Sequence, residues 1–147
     1  KRLVIGEYVR LRSGYVIRAD EVLKDATGEI IELICSYIPG TVGQDPPEGV
    51  RPRGVIHWVS ATNSVDCDLY CYEKLFTVAA PDAGEGSFID HLNPDSLQII
   101  KQCKAELGLA GAEVGQHFQF EREGYYAVDA KHSSPGKLVF NRTIALR

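Results

Sequence analysis

Methionine is absent from the 147 residues of this chain, and tryptophan occurs once, at Trp58. The chain starts at Lys1 in what reads as mid-strand. It is expected to be a piece of a longer polypeptide, with some strands lying before it. No stretch approaches the roughly 20 apolar residues that a membrane helix needs, so no membrane partner is expected. No basic segment followed by an apolar core marks a secretory signal. A basic excess is missing too: 16 Lys and Arg stand against 20 Asp and Glu, a net charge of −4. Proteins that hold nucleic acid by bulk attraction to phosphate carry such an excess. An RNA role here must rest on a local basic patch and on specific base contacts.

The signatures of catalysis are also missing. No serine lies in a nucleophile elbow, and no glycine-rich phosphate loop ends in Lys-Ser or Lys-Thr. The glycines between Gly108 and Gly115 follow no strand-like run. The four histidines, His57, His91, His117 and His132, form no metal-binding pair four apart. His57 alternates with Val55 and Val59, as a structural or surface histidine on a strand would. The four cysteines lack zinc spacing: Cys67 and Cys71 have no second pair nearby, and Cys35 and Cys103 stand alone. Cys67, Leu69 and Cys71 share one face of a strand and read as core. Reduced thiols fit a cytoplasmic setting. No catalytic residue, metal or cofactor is expected in this chain.

What is present is a succession of short strands broken by turns. Hydrophobic residues at 44% and charged residues at 24% are the balance of a folded globule. Val9 to Arg12 alternates, and Tyr15 to Val22 continues extended. Asp25 to Gly28 reads as a hairpin turn, and Glu29 to Tyr37 alternates again. Pro39 to Pro52, dense in Gly and Pro, reads as a long surface loop. Strands follow at Val55–Ser60, Val65–Val78, His117–Arg122, Tyr125–Ala130 and Val139–Leu146, with a turn at Ser133 to Gly136. Pro94 to Leu109 is ambiguous. Asn93 can cap a helix and Pro94 suits its first position, but a turn followed by a strand through Leu97–Lys101 fits equally.

This pattern predicts an all-β chain made of two small antiparallel β-barrels. The small-residue loop from Pro81 to Gly86 is the expected boundary, giving units 1–80 and 81–147.

Two stretches are candidates for binding. Arg10 and Arg12 are two apart on a strand, so both guanidiniums face one way, with Val9 and Leu11 facing the core. Both arginines are expected to be exposed. Lys1, Arg2 and Arg18 are near enough in sequence to join the patch. Forked guanidiniums on a rigid strand can grip a phosphate or a base edge, although a solvated strand face has the same spacing. In His117 to Tyr125, inward Phe118 and Phe120 would leave Gln119 and Glu121 on the other face. An amide there could read a base's pairing edge, and aromatics could stack unpaired bases. A plain amphipathic strand has the same pattern.

Four longer blocks go further. Lys1-Arg2-Leu3-Val4 with Val9-Arg10-Leu11-Arg12, Gly54 to Ala61, Phe118 to Tyr125, and Val139 to Thr143 resemble, in this order, the C-terminal half of the glutaminyl-tRNA synthetase family. The resemblance spans nearly the whole chain. It departs in detail over Val65 to Cys71, in the Pro81–Gly86 loop, and at Gln98 to Ala110. At Gln98 to Ala110 the family shows strand then loop, and this chain carries an extra residue, which favours a strand.

The resemblance implies two anticodon-binding barrels of ribosomal-protein type appended to a class I synthetase. It implies RNA contacts at Lys1, Arg2, Arg10 and Arg12 to the first and third anticodon bases and nearby phosphates. Gln119 and Arg122 would read the middle uracil and its surroundings, and Arg147 matches the family pattern. The implied partner is the anticodon loop of glutamine tRNA, held by a monomer. ATP with Mg, and glutamine, would bind a catalytic domain outside this chain. The related barrel of a glutamyl-tRNA synthetase and a free-standing rRNA-binding barrel are the alternatives. A hydrolase built on His57 or His132 finds no supporting spacing.

Overall fold

The computed structural model describes residues 3–146 and is all-β, as expected. Its contacts divide it into two compact units, the first ending at Trp58 and the second starting at Val59. The expected division at 80/81 falls elsewhere because the strand from Ser64 to Tyr72 hydrogen-bonds to strands that follow it, not to those before. The Pro81–Gly86 loop therefore lies inside the second unit.

The first unit contains β1 (Tyr8–Leu11), β2 (Val16–Lys24), β3 (Ile30–Ile38) and β4 (Val55–Ile56), in the sheet order β3-β2-β1-β4. β1, β2 and β3 pair antiparallel, whereas β1 and β4 run parallel. The β2–β3 turn forms where the sequence places it. Asp25 Oδ1 accepts hydrogen bonds from the Thr27 amide at 2.8 Å and from the Glu29 amide at 3.0 Å, and Gly28 takes a φ of 89°. That φ is a conformation open to glycine at little cost.

The second unit contains β5 (Ser64–Tyr72), β6 (Leu97–Glu106), β7 (His117–Phe120), β8 (Gly124–Val128) and β9 (Leu138–Ala145), in the order β6-β5-β9-β8-β7. β5 and β9 are parallel and the other pairs antiparallel. Both barrel-like sheets are thus mixed rather than purely antiparallel. The ambiguous Pro94–Leu109 segment is a strand followed by a short 3-10 turn at Leu107–Leu109. Two residues of β6, Lys101 and Gln102, lie between partners that only Asp68 separates on β5. This is a β-bulge. Gln102 takes a φ of 58°, and its amide donates to Asp68 Oδ1 at 3.1 Å.

The core of the second unit gathers Cys67, Ala105, Tyr126, Val128 and Phe140, with Phe118 and Phe120 packed against it. The Phe120 and Tyr126 rings stack at 4.4 Å, and Phe140 meets Phe120 edge-on at 5.2 Å and Phe118 at 6.1 Å. Burying each such ring stabilises the fold by about 1.5–3 kcal/mol, and the ring pairs add to this. Cys67 and Cys71 are core residues, as their alternation suggests. Burial pushes the Cys67 thiol up to about 11, so it stays protonated and inert.

A polar knot closes the turn before β9. The buried Asp129 carboxylate accepts from Asn141 Nδ2 at 2.6 Å, from the Lys131 amide at 2.8 Å and from the His132 amide. His132 Nδ1 lies 3.0 Å from the same carboxylate. Burial works to raise the Asp129 carboxyl, but the hydrogen bond from Asn141 and the two backbone amides outweigh it and hold the group below its usual range. The depressed value means that its stabilisation is complete above the unfolded pKa of about 3.9 and disappears as pH falls through the folded value. We expect Asp129→Ala to cost about 2 kcal/mol or more, because buried donors lose their acceptor. In urea melts from pH 7 downward, wild type should lose stability below about pH 4 more steeply than Asp129→Ala; parallel curves would show that the carboxylate contributes nothing.

Candidate nucleic-acid interface

Arg10 and Arg12 do not share one fate. Arg10 is half-buried, and the long loop after β3 folds over its guanidinium. The side chain donates to the carbonyls of Thr41, of Gln44 at 2.7 Å and of Gly14 at 3.5 Å. Thr41 is buried and completes the clasp: its hydroxyl accepts from the Val16 amide at 2.9 Å and donates to the Ile38 carbonyl at 2.6 Å. The expectation that both arginines are exposed is therefore corrected for Arg10. Two of its hydrogen bonds, to Thr41 and Gln44, fasten a loop that is too rich in Gly and Pro to pair with a sheet.

Arg12 is exposed, just beyond the end of β1. Its backbone is held on both sides. The Arg12 amide donates to the Ile56 carbonyl at 2.9 Å, and its carbonyl accepts from the Trp58 indole Nε1–H at 3.0 Å. The indole also lies against Gly14, where a Cβ would meet Leu11 Cβ at 3.1 Å and the Trp58 ring at 3.5 Å. Trp58 thus fixes where Arg12 leaves the sheet. Its role is absent from the local sequence pattern, since 46 residues separate the two partners. Arg18 is paired with Asp20, Nε to Oδ1 at 2.6 Å, and so is partly neutralised. Lys1, Arg2 and Arg147 lie outside the described residues.

In the second unit, β7 behaves as its alternation suggests. Phe118 and Phe120 turn to the core and Gln119 faces outward, exposed. Among the described residues nothing is hydrogen-bonded to the Gln119 side-chain amide. Opposite it on β8 stands Tyr125, and opposite Tyr125 on β9 stands Ile144. Both are exposed, at 41% and 61%. Arg122 sits in the turn that joins β7 to β8, exposed, with a φ of 68°. The Glu123 amide closes that turn on the Phe120 carbonyl at 2.9 Å. Arg122 Nε lies 3.9 Å from Glu121 Oε1, a loose pairing. Gly124 follows because β9 runs close: a Cβ there would stand 2.5 Å from the Ile144 carbonyl oxygen.

Two open clefts of about 540 and 460 Å³ lie elsewhere on the second unit. They share Asp66, with Glu113 lining one and Asp68 the other, and neither is lined by an expected RNA-contacting residue. Lys104 and Lys137 also line the second, where Lys104 is paired with Asp66 at 2.6 Å. The His132–Asp129 pair resembles part of a catalytic relay, but its carboxylate is taken up by three N–H donors that cap a turn. Among the described residues no group of three His, Cys, Asp or Glu could hold a metal ion, and no helix is long and apolar enough to cross a membrane.

Comparison with known proteins bears directly on these surfaces. Residues 55–129 match the family model described as tRNA synthetases class I (E and Q), anti-codon binding domain. Over its whole length the chain is 55% identical to a glutamine-tRNA ligase of Ectopseudomonas mendocina (strain ymp) and to one of Pseudomonas aeruginosa (strain LESB58). It is 52% identical to a glutamine-tRNA ligase of Azotobacter vinelandii (strain DJ / ATCC BAA-1303). It spans 27% of the length of each of these relatives.

The two arginines should separate in a stability experiment. Arg10→Ala strands the loop carbonyls and is expected to cost about 2 kcal/mol. Arg12→Ala is expected to cost less than about 1 kcal/mol. Chemical denaturation of both variants checks this, and equal losses would contradict the loop-clasp role of Arg10.

Proposed function

This chain belongs to the anticodon-binding domain family of class I tRNA synthetases of the E and Q type, and from that premise we propose that it reads the anticodon loop of glutamine tRNA. The observation that carries the choice of tRNA is the identity of 52–55%, along the whole chain, to glutamine-tRNA ligases. The chain would act as the recognition part of a longer, monomeric, cytoplasmic ligase. ATP with Mg, and glutamine, would bind a catalytic part outside these residues.

The roles of the side chains follow from their settings. Gln119 projects an amide with both donor and acceptor from a rigid strand, and it is the natural reader of the middle base. Uracil offers an acceptor and a donor side by side, which one amide complements. Arg122, raised on its turn, supplies charge for the adjoining phosphate. Arg12 offers an exposed guanidinium to an outer anticodon base or its phosphate, with Lys1, Arg2 and Arg147 as further contacts. Arg10, carried in the resemblance as a contact, serves the same unit by fastening the loop after β3. A net charge of −4 suits this division of labour. Base contacts carry specificity, and the phosphate contribution stays local.

The test is a binding titration of the full-length protein and its Gln119→Ala variant, at fixed moderate salt. The RNAs are glutamine tRNA and a tRNA substituted at the middle anticodon base. Wild type should prefer the cognate tRNA, and the variant should lose about 1–3 kcal/mol of that preference. Equal losses on both RNAs would show that Gln119 only supports the surface.

A further inference from the structure

The geometry points to Tyr125 as the stacking platform for the base whose edge Gln119 reads. This rests on the anticodon-reading role proposed above and adds to it a residue and a mode of contact.

Gln119 and Tyr125 are direct partners across the β7–β8 pair, and Tyr125 and Ile144 across the β8–β9 pair. Direct partners on one face of a sheet have Cβ atoms about 5 Å apart. The three side chains therefore form one continuous row. The row faces outward because its neighbours face inward: Phe118, Phe120 and Tyr126 are all packed in the core. A register shift between Tyr125 and Tyr126 leaves Thr143 as an extra residue on β9. Arg142, two residues before Ile144, is half-buried, and this bulge turns Ile144 back to the exposed side. The bulge itself is fixed, since the Thr143 hydroxyl donates to the Tyr125 carbonyl at 3.0 Å.

The other aromatic rings of β7 and β8 are engaged with partners. Phe118, Phe120 and Tyr126 all stack on or tilt against another ring. Tyr125 has no ring partner among the described residues, and its neighbour's amide has no hydrogen bond. An unpaired ring beside an unpaired amide, on a rigid sheet with an apolar flank from Ile144, has the chemistry of a nucleobase site. The ring takes the π-face, the amide takes the pairing edge, and Arg122 at the end of the same hairpin lies toward the phosphate. Stacking does not distinguish bases, since every base has a π-face. Tyr125 should therefore set how tightly the base is held, and Gln119 which base is preferred.

The experiment uses the full-length protein with Tyr125→Phe and Tyr125→Leu, beside Gln119→Ala. Phenylalanine keeps the ring, whereas leucine keeps apolar bulk without it, so a folded pair isolates stacking from packing. Thermal melts verify the fold of each. The probe is glutamine tRNA, and the same tRNA with a fluorescent uridine analogue, its pairing edge kept, at the middle anticodon position. Tyr125→Phe should bind like wild type and quench the probe. Tyr125→Leu should bind roughly 5- to 150-fold more weakly, on cognate and middle-base-substituted tRNA alike, with the quench lost. Tyr125→Leu binding and quenching like wild type, while Gln119→Ala still loses discrimination, would overturn the stacking role and leave the reading of Gln119 intact. Wild type showing no preference among middle bases would instead overturn the reading on which the stacking role stands.

Discussion

The aromatic packing of Phe118, Phe120 and Tyr126 around Phe140 decides what the second unit can present to a partner. Phe140 is fully buried, with the Phe120 and Phe118 rings 5.2 and 6.1 Å from it and Tyr126 stacked on Phe120 at 4.4 Å. Because side chains alternate along a strand, a slip of one residue would send the whole set to the other face. With the rings held inward, Gln119 and Tyr125 have no choice but the outward face. The outward face that carries Gln119 and Tyr125 is thus a by-product of core packing. Its precision comes from the core's rigidity, since tightly packed interiors respond to changes of a single methylene.

The first unit solves the same problem with polar groups. It has few buried apolar residues, chiefly Val9, Val16 and Ala19. The loop after β3 is held instead by Arg10 and Thr41, and the end of β1 by Trp58. A guanidinium that fastens backbone carbonyls keeps fewer donors for any other partner. The same residue type therefore sits in two different settings two positions apart. Arg12 is exposed, with its backbone held by Trp58 and Ile56.

These two units also show where sequence reading succeeds and where it stops. Strand alternation located β1, β2, β3, β7 and β8 closely, and it placed Cys67, Cys71, Phe118 and Phe120 in the core. Gln119 was legible for the same reason, as the outward residue between two inward rings. Alternation misses the burial of Arg10, because it reports which face a residue is on, not what folds over that face. Its acceptors lie 31 and 34 residues away, in a loop with no periodicity. The contacts divide at Trp58/Val59 rather than at the small-residue loop for a related reason. A loop of small residues between β5 and β6 looks like a linker, but pairing of β5 with β9, across some seventy residues, overrides it. Tyr125 was legible as part of the β7–β8 block, but its place beside Gln119 needs the cross-strand register.

Hydrogen–deuterium exchange of the full-length protein, with and without glutamine tRNA, addresses RNA contact at these surfaces most directly. Slowed exchange should concentrate in the β7–turn–β8 segment from His117 to Tyr125 and around Arg12, and it should weaken when the anticodon bases are substituted. Protection confined to other segments, with these two unchanged, would contradict RNA recognition at this face.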